Sequence, residues 1–228
     1  MEQKLISQLP REAVERLIAT LPFYKQVRQT DDWQYELLLT HSRVVTYSPG
    51  ESVLRKGDTD SWLYFLLKGQ LVVLAGEREH AVNYVTPGEV FGDLALLLGS
   101  GRTATLNVDP ACREATVFAT DFTIFGELED CSRINLATKL CYYHNLLHSL
   151  RWKLEVYRGQ YPDFELADKH RGVKLYRGEK HSLVELCALH QQACELAGLL
   201  GLWNQAFGRL SVLDGDVPSR QLLSAIGS

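Results

Sequence analysis

The sequence predicts an α+β protein: an antiparallel β-sandwich, barrel or jelly roll flanked by helices, followed by a long helix and a C-terminal all-helical module. Three observations carry this. Between residues 42 and 120 short β-rich runs recur at regular intervals (RVVTYS, SVLRKG, WLYFLLKG, LVVLAG, AVNYV, TATLNV and ATVFAT). Turn signals separate them (SPGE, KGDTD, KGQ, AGERE, TPGE, GSG and VDPA), the pattern of many short antiparallel strands. On both sides of that block the apolar residues take up a helical period instead.

Bulk properties narrow the class. A chain of 228 residues makes one large domain or two small ones. A net charge of -4 and a pI near 6.0 lack the basic footprint of a dedicated nucleic-acid binder. No run of 18 apolar residues is present, so no membrane span is expected. The opening MEQKLISQLPREAVERL has no signal-peptide core. The cysteines Cys112, Cys131, Cys141, Cys187 and Cys194 are odd in number and form no C-x-x-C pair. That suits a reduced cytoplasmic protein rather than a disulfide framework or a zinc site.

The expected division is helices over 1–41, the β-domain over 42–131, a long connecting helix over 132–160, and a linker with a helical module over 161–228. In the first part Val14, Leu17, Ile18 and Leu21 share one helical face. Asp31 and Asp32 before Trp33 mark a helix start, with acid at the positive end of the dipole. After the β-domain, Leu136, Leu140, Tyr143, Leu147, Leu150, Leu154 and Tyr157 step alternately by four and three. This heptad stripe fits two readings equally: a helix packed on its own β-domain, or a homodimer seam through residues 134–158. The segment from Gly159 to Ser182 is polar, with Pro162, Gly172 and Gly178, and reads as a linker with one short strand or turn. Its Lys169, Arg171, Lys174, Arg177 and Lys180 are offset by Asp168 and Glu179, so a solvated linker is favoured over a docking site for an acidic partner. A second stripe follows: Leu186, Leu189, Ala193, Leu196, Leu200, Trp203, Phe207 and Leu210. Gly198, Gly201 and Gly208 lie within it and cost about 1 kcal/mol each against alanine. It reads as a helix packed in a small bundle, with a protein-partner surface over 161–228 as the sharper alternative.

One stretch carries chemistry: FGDLALLLGSGRTAT, Phe91 to Thr105. Gly92 lets the backbone bend close to a ligand. Residues 93–98 read as a single helical turn, whose free amides can face an anion. Arg102 adds a planar cation suited to phosphate oxygens, and Asp93 can accept hydrogen bonds from sugar hydroxyls.

The order F-G-D-L-A-L-x-x-G-x-x-R-T-A-T resembles the phosphate-binding cassette of cyclic-nucleotide-binding domains, which reads F-G-E-L-A-L, a short turn, then P-R-x-A-T. The spacing from Asp93 to Arg102 is similar to that in regulatory subunits of protein kinase A. YSPGESVLRKGDTDSWLYFLLKGQLVVL and LPFYKQV resemble the same family, so the likeness covers roughly residues 20–155. It implies a β-roll that binds a cyclic nucleotide, cAMP or cGMP. It places Arg102 on the cyclic phosphate and Asp93 on the ribose 2′-hydroxyl, with backbone amides of Gly92, Asp93, Leu94 and Ala95 facing both. It puts Thr103 at phosphate or the guanine edge, and Val82 and Val85 on the pocket wall. For the lid over the base it offers Tyr143, His144, His148 and Ser149. Two positions depart from the family. Asp93 stands for the usual Glu, one methylene shorter at a charge-assisted hydrogen bond worth about 1.5–3 kcal/mol, which corresponds to roughly a tenfold to hundredfold in affinity. Gly101 stands for the usual proline and leaves that turn less preorganised.

Other functions fare worse. ELAGLLGLWNQAFGRL faintly echoes the helix-turn-helix of bacterial activators with this roll. The heptad stripe runs through its turn, and residues 195–228 carry three acids against two arginines, a poor surface for phosphate. His144 and His148 lie four apart, a metal-chelating spacing without a third ligand, so no metal is expected. No G-x-S-x-G, H-E-x-x-H or Walker sequence is present. The expectation is a non-enzymatic cyclic-nucleotide sensor, with a scaffold that has lost its ligand and a DNA-binding regulator as alternatives.

Overall fold

The computed structural model describes residues 2–75 and 80–214; side chains from 208 onward, Leu210 included, and residues 76–79 of the AGERE turn lie outside the described residues. In chain order the elements are β1 (Glu2–Leu5), α1 (Arg11–Ile18), α2 (Pro22–Thr30), α3 (Asp32–Thr40), β2 (Ser42–Tyr47), β3 (Ser52–Leu54), β4 (Trp62–Lys68), β5 (Leu71–Ala75), β6 (His80–Val85), β7 (Val90–Phe91), α4 (Asp93–Leu98), β8 (Thr105–Val108), β9 (Ala115–Asp121), α5 (Leu136–Gln160) and α6 (Leu183–Asp214). Two antiparallel sheets, ordered β1-β2-β9-β4-β7 and β3-β8-β5-β6, face each other as a β-roll. The α+β reading holds.

Both faces of β4 and β9, at the centre of the first sheet, are buried, which explains why WLYFLL reads as a continuous apolar run rather than an alternating one. Tyr64, Leu66, Val117 and Ala119 point into the roll and meet Leu71, Leu106 and Val108 of the second sheet. Leu63, Phe65 and Phe118 point the other way, into a second core built with the helices. There Tyr24 stands on Phe65 and Phe118 edge to face, and its buried hydroxyl joins Ser42 and Thr120. Asp31 caps α3 as expected, accepting from the Gln34 amide at 3.0 Å.

Two expectations are corrected. Residues 1–41 are not helical throughout, because β1 adds to the free edge of β2, Glu2 opposite Thr46 and Leu5 opposite Arg43. All four of its residues are exposed, so backbone pairing rather than side-chain pattern places it. The α5 stripe does not pack mainly on the roll: α6 folds back along α5, and the two heptad stripes bury each other within one chain. Trp203 is fully buried, in ring contact with Tyr157, Tyr161, Phe164 and Phe207. Because α6 is unbroken from Leu183 to Asp214, the echo of a helix-turn-helix has no turn there.

The linker is largely solvated, with Lys169, Arg171, Lys174, Arg177 and Lys180 all exposed, but it is pinned to α5 at one point. A 3-10 turn, Lys169–Gly172, brings buried His170 to Glu155 of α5 at 2.9 Å, with Arg171 on the same carboxylate; Arg158 holds Asp168. The His170 hydrogen bond is the main cause that holds the Glu155 carboxyl down at about 2; burial opposes it and Arg171 adds to it. A depressed carboxyl stabilises the fold above its unfolded pKa, about 4.3, and loses that contribution as pH falls toward 2. The gap in thermal midpoint between wild type and Glu155→Gln should therefore be constant above about pH 5 and narrow below about pH 4. A gap that stays constant into the acid range would show that the ion pair does not hold the linker.

Candidate functional site

The cassette begins where β7 ends. Gly92 caps α4 in the left-handed region, φ +81°. A Cβ there would lie 2.7 Å from Arg102 Nη1 and 3.1 Å from the Tyr64 ring, so glycine is required for both backbone and space. Gly92→Ala should lower stability by about 1–3 kcal/mol in urea unfolding; an unchanged midpoint would mean that the turn can relax. Asp93 then opens α4 and is buried, 2% exposed. Its Oδ2 accepts no hydrogen bond, and Lys153 Nζ of α5 approaches it at 3.7 Å.

Arg102 is 3% exposed and is bound from several sides. Its Nε and Nη2 engage both carboxylate oxygens of Asp60, Nη2 also donates to Trp62 O at 2.8 Å, and Nη1 donates to Gly92 O. A guanidinium has five N–H donors, and these bonds occupy four. The backbone around it is equally tied: Gly57 N donates to Arg102 O at 2.8 Å and Arg102 N to Asp58 O at 2.9 Å. Gly101 has a steric reason, since a Cβ there would meet Gly57 O at 2.9 Å. The position where the family usually carries proline is thus pressed against the KGDTD turn, and the sequence-based view of Gly101 as merely a looser turn is sharpened accordingly.

Gly92, Asp93, Leu94, Ala95, Arg102, Thr103 and Val85 line one cavity of about 80 Å³. Four helical residues close it: Lys153 and Tyr157 of α5, Leu200 and Asn204 of α6. Tyr157 Oη accepts a 3.4 Å hydrogen bond from Asn83 Nδ2; burial raises this phenol to about 12, so it stays protonated. The volume is well under the roughly 300 Å³ at which small-molecule pockets begin. The arrangement offers one spare guanidinium N–H, a carboxylate with free acceptor capacity, and apolar walls, all under a helical cap.

The remaining sequence-based candidates lie elsewhere. Val82 is buried in the core shared with the helices and does not line the cavity. Tyr143 is hydrogen-bonded to His190 of α6 at 2.9 Å. His144 is exposed and 3.6 Å from Glu185. His148 and Ser149 line a separate, larger groove. The capping positions sit one to two turns further along α5 and on α6. Tyr157 and Leu200 were signalled only by their place in the stripes, and Lys153 and Asn204 carried no signal in the sequence. Among the described residues no group of three or more His, Cys, Asp or Glu side chains could hold a metal. No described helix is long and apolar enough to cross a membrane.

A left-handed glycine, a short helix, a buried acid and a buried arginine of the β-roll thus meet around one cavity. Residues 44–127 match the family model described as the cyclic nucleotide-binding domain. Over 98 residues the chain is 34% identical to potassium/sodium hyperpolarization-activated cyclic nucleotide-gated channel 3 of Homo sapiens, covering 42% of this chain and 12% of the channel. Over 116 residues it is 30% identical to the cyclic nucleotide-gated cation channel of Ictalurus punctatus, covering 46% of this chain and 17% of that one. The chain thus spans only a small part of these relatives. A solved cyclic nucleotide-binding domain from Methylobacillus flagellatus has the same fold, with a TM-score of 0.54 at 13% identity over 66% of this chain and 84% of that one.

Proposed function

We propose that this protein is a non-enzymatic cyclic-nucleotide sensor, taking cAMP or cGMP in the cavity under α5 and α6. The observation that supports it most is the convergence of Gly92, Asp93, Leu94, Ala95, Arg102 and Thr103 on that one cavity. In this reading Arg102 meets the cyclic phosphate with its spare donor and, once Gly92 O is released, with a second. Asp93 takes the ribose hydroxyl with the oxygen that accepts no hydrogen bond in the capped form. The nucleotide is larger than the cavity, so binding selects a form in which the α5–α6 hairpin has shifted. The signal is that shift, passed to a protein partner through the hairpin and the segment after 161. Its size is bounded by the difference in ligand affinity between the two forms. The α5 stripe is covered by α6, so a homodimer through 134–158 requires the open form.

The small cavity and the four engaged donors favour one competing reading, a scaffold that keeps the fold without the ligand. Calorimetric titration with cAMP and cGMP separates them, using protein checked for copurified nucleotide. Saturable heat is expected for at least one; no heat from either at millimolar concentration supports the scaffold.

A further inference from the structure

A second cavity, of about 540 Å³, lies between α5 and the outer side of the roll. Its size falls within the range of small-molecule pockets, about 300–1,000 Å³. One wall is a single helical stripe, Tyr142, Leu146, Ser149, Trp152, Lys153 and Val156, spaced by four, three, three, one and three. The facing wall is Phe65 of β4, Tyr84 of β6 and the turn from Thr86 to Val90, with Phe23 of α2 at one end. Five aromatic rings therefore surround it: Phe23, Phe65, Tyr84, Tyr142 and Trp152. Flat walls of this kind hold flat molecules by stacking.

The polar groups say more about the occupant. The two full charges on the wall are opposite and already committed. Lys153 Nζ donates to Val90 O at 2.9 Å and faces Asp93, and the Glu89 carboxylate accepts from Thr86 N and Oγ1. Neither calls for a charged ligand. His148 and Ser149 also line the cavity, and neither side chain makes a hydrogen bond to any described residue. We infer that this groove is a second small-molecule site, for a neutral, planar heteroaromatic compound whose ring stacks between Trp152 and the roll and whose polar edge meets Ser149 and His148. The groove adjoins the nucleotide cavity and shares Asn83, Tyr84, Glu89 and Lys153 with its lining, whereas Arg102, Asp93 and α6 take no part in it.

Isoquinolin-1-one, a neutral lactam, is the probe, with 1-naphthoate and 1-naphthylmethylammonium as anionic and cationic counterparts of similar shape. Titration into the full chain, followed by tryptophan fluorescence and calorimetry, should show saturable binding of the lactam and weaker binding of both ions. Ser149→Trp fills the groove and should weaken lactam binding about tenfold or more. Trp152→Ala removes a half-exposed ring and should weaken it about fivefold; it carries the test if Ser149→Trp does not fold. No saturable binding up to millimolar lactam, either ion binding as tightly as the lactam, or full affinity in the folded variants would overturn the assignment.

Discussion

Arg102→Ala should abolish cyclic-nucleotide binding and lower stability by about 3 kcal/mol. The stability loss follows from what the guanidinium holds. Removing one partner of a buried ion pair costs about 3–5 kcal/mol, because the other charge is left unpaired. The lower end applies here, since Asp60 is 31% exposed and can regain water. Gly92 O and Trp62 O lose their donors as well. Arg102→Lys keeps a cation but not the planar fork that reaches Asp60, Gly92 and Trp62 together. It should recover part of the stability and little of the binding. Urea unfolding and nucleotide titration of the two variants read both effects. Wild-type affinity in folded Arg102→Ala would move the nucleotide out of this cavity altogether.

Ala197→Glu should raise nucleotide affinity about tenfold or more while destabilising the α5–α6 hairpin. Ala197 is fully buried on α6, and an unpaired carboxylate there has no solvent and no partner. The protein relieves it by releasing α6, which takes Leu200 and Asn204 off the cavity. Where the competent form is a minor fraction, apparent affinity is reduced by that fraction, and opening the cap restores it. A tenfold gain corresponds to about 1.4 kcal/mol of capping. Exposure of buried Trp203 should shift its fluorescence to the red and report the release independently. Unchanged affinity in a variant with released α6 would mean that the helix does not gate the site.

The cassette was largely legible in the sequence. Gly92, the turn over 93–98 and the spacing to Arg102 are short-range features, and backbone sterics demand a left-handed glycine wherever a strand reverses into a helix this tightly. The Asp31 cap was legible for the same reason: its partner is three residues away. What could not be read lies far apart along the chain. Asp60, 42 residues from Arg102, looked like one more turn residue in KGDTD. Gly101 looked like a lost proline until its contact with Gly57 was seen. β1 carries no apolar alternation because it is held by backbone pairing at an edge.

The sequence by itself determined strands β2 to β6, β8 and β9, the two heptad stripes and the pattern of the cassette, because each rests on periodicity or spacing within about fifteen residues. Only the tertiary structure decided what the stripes touch. A heptad pattern states that a face is buried without naming what buries it, and here the two stripes satisfy each other. That pairing brings Lys153, Tyr157, Leu200 and Asn204 over the cavity and turns His148 and Ser149 toward the outer groove. The rotation of a helix about its own axis is set by the surface it packs against, and that surface is assembled only when the chain has folded.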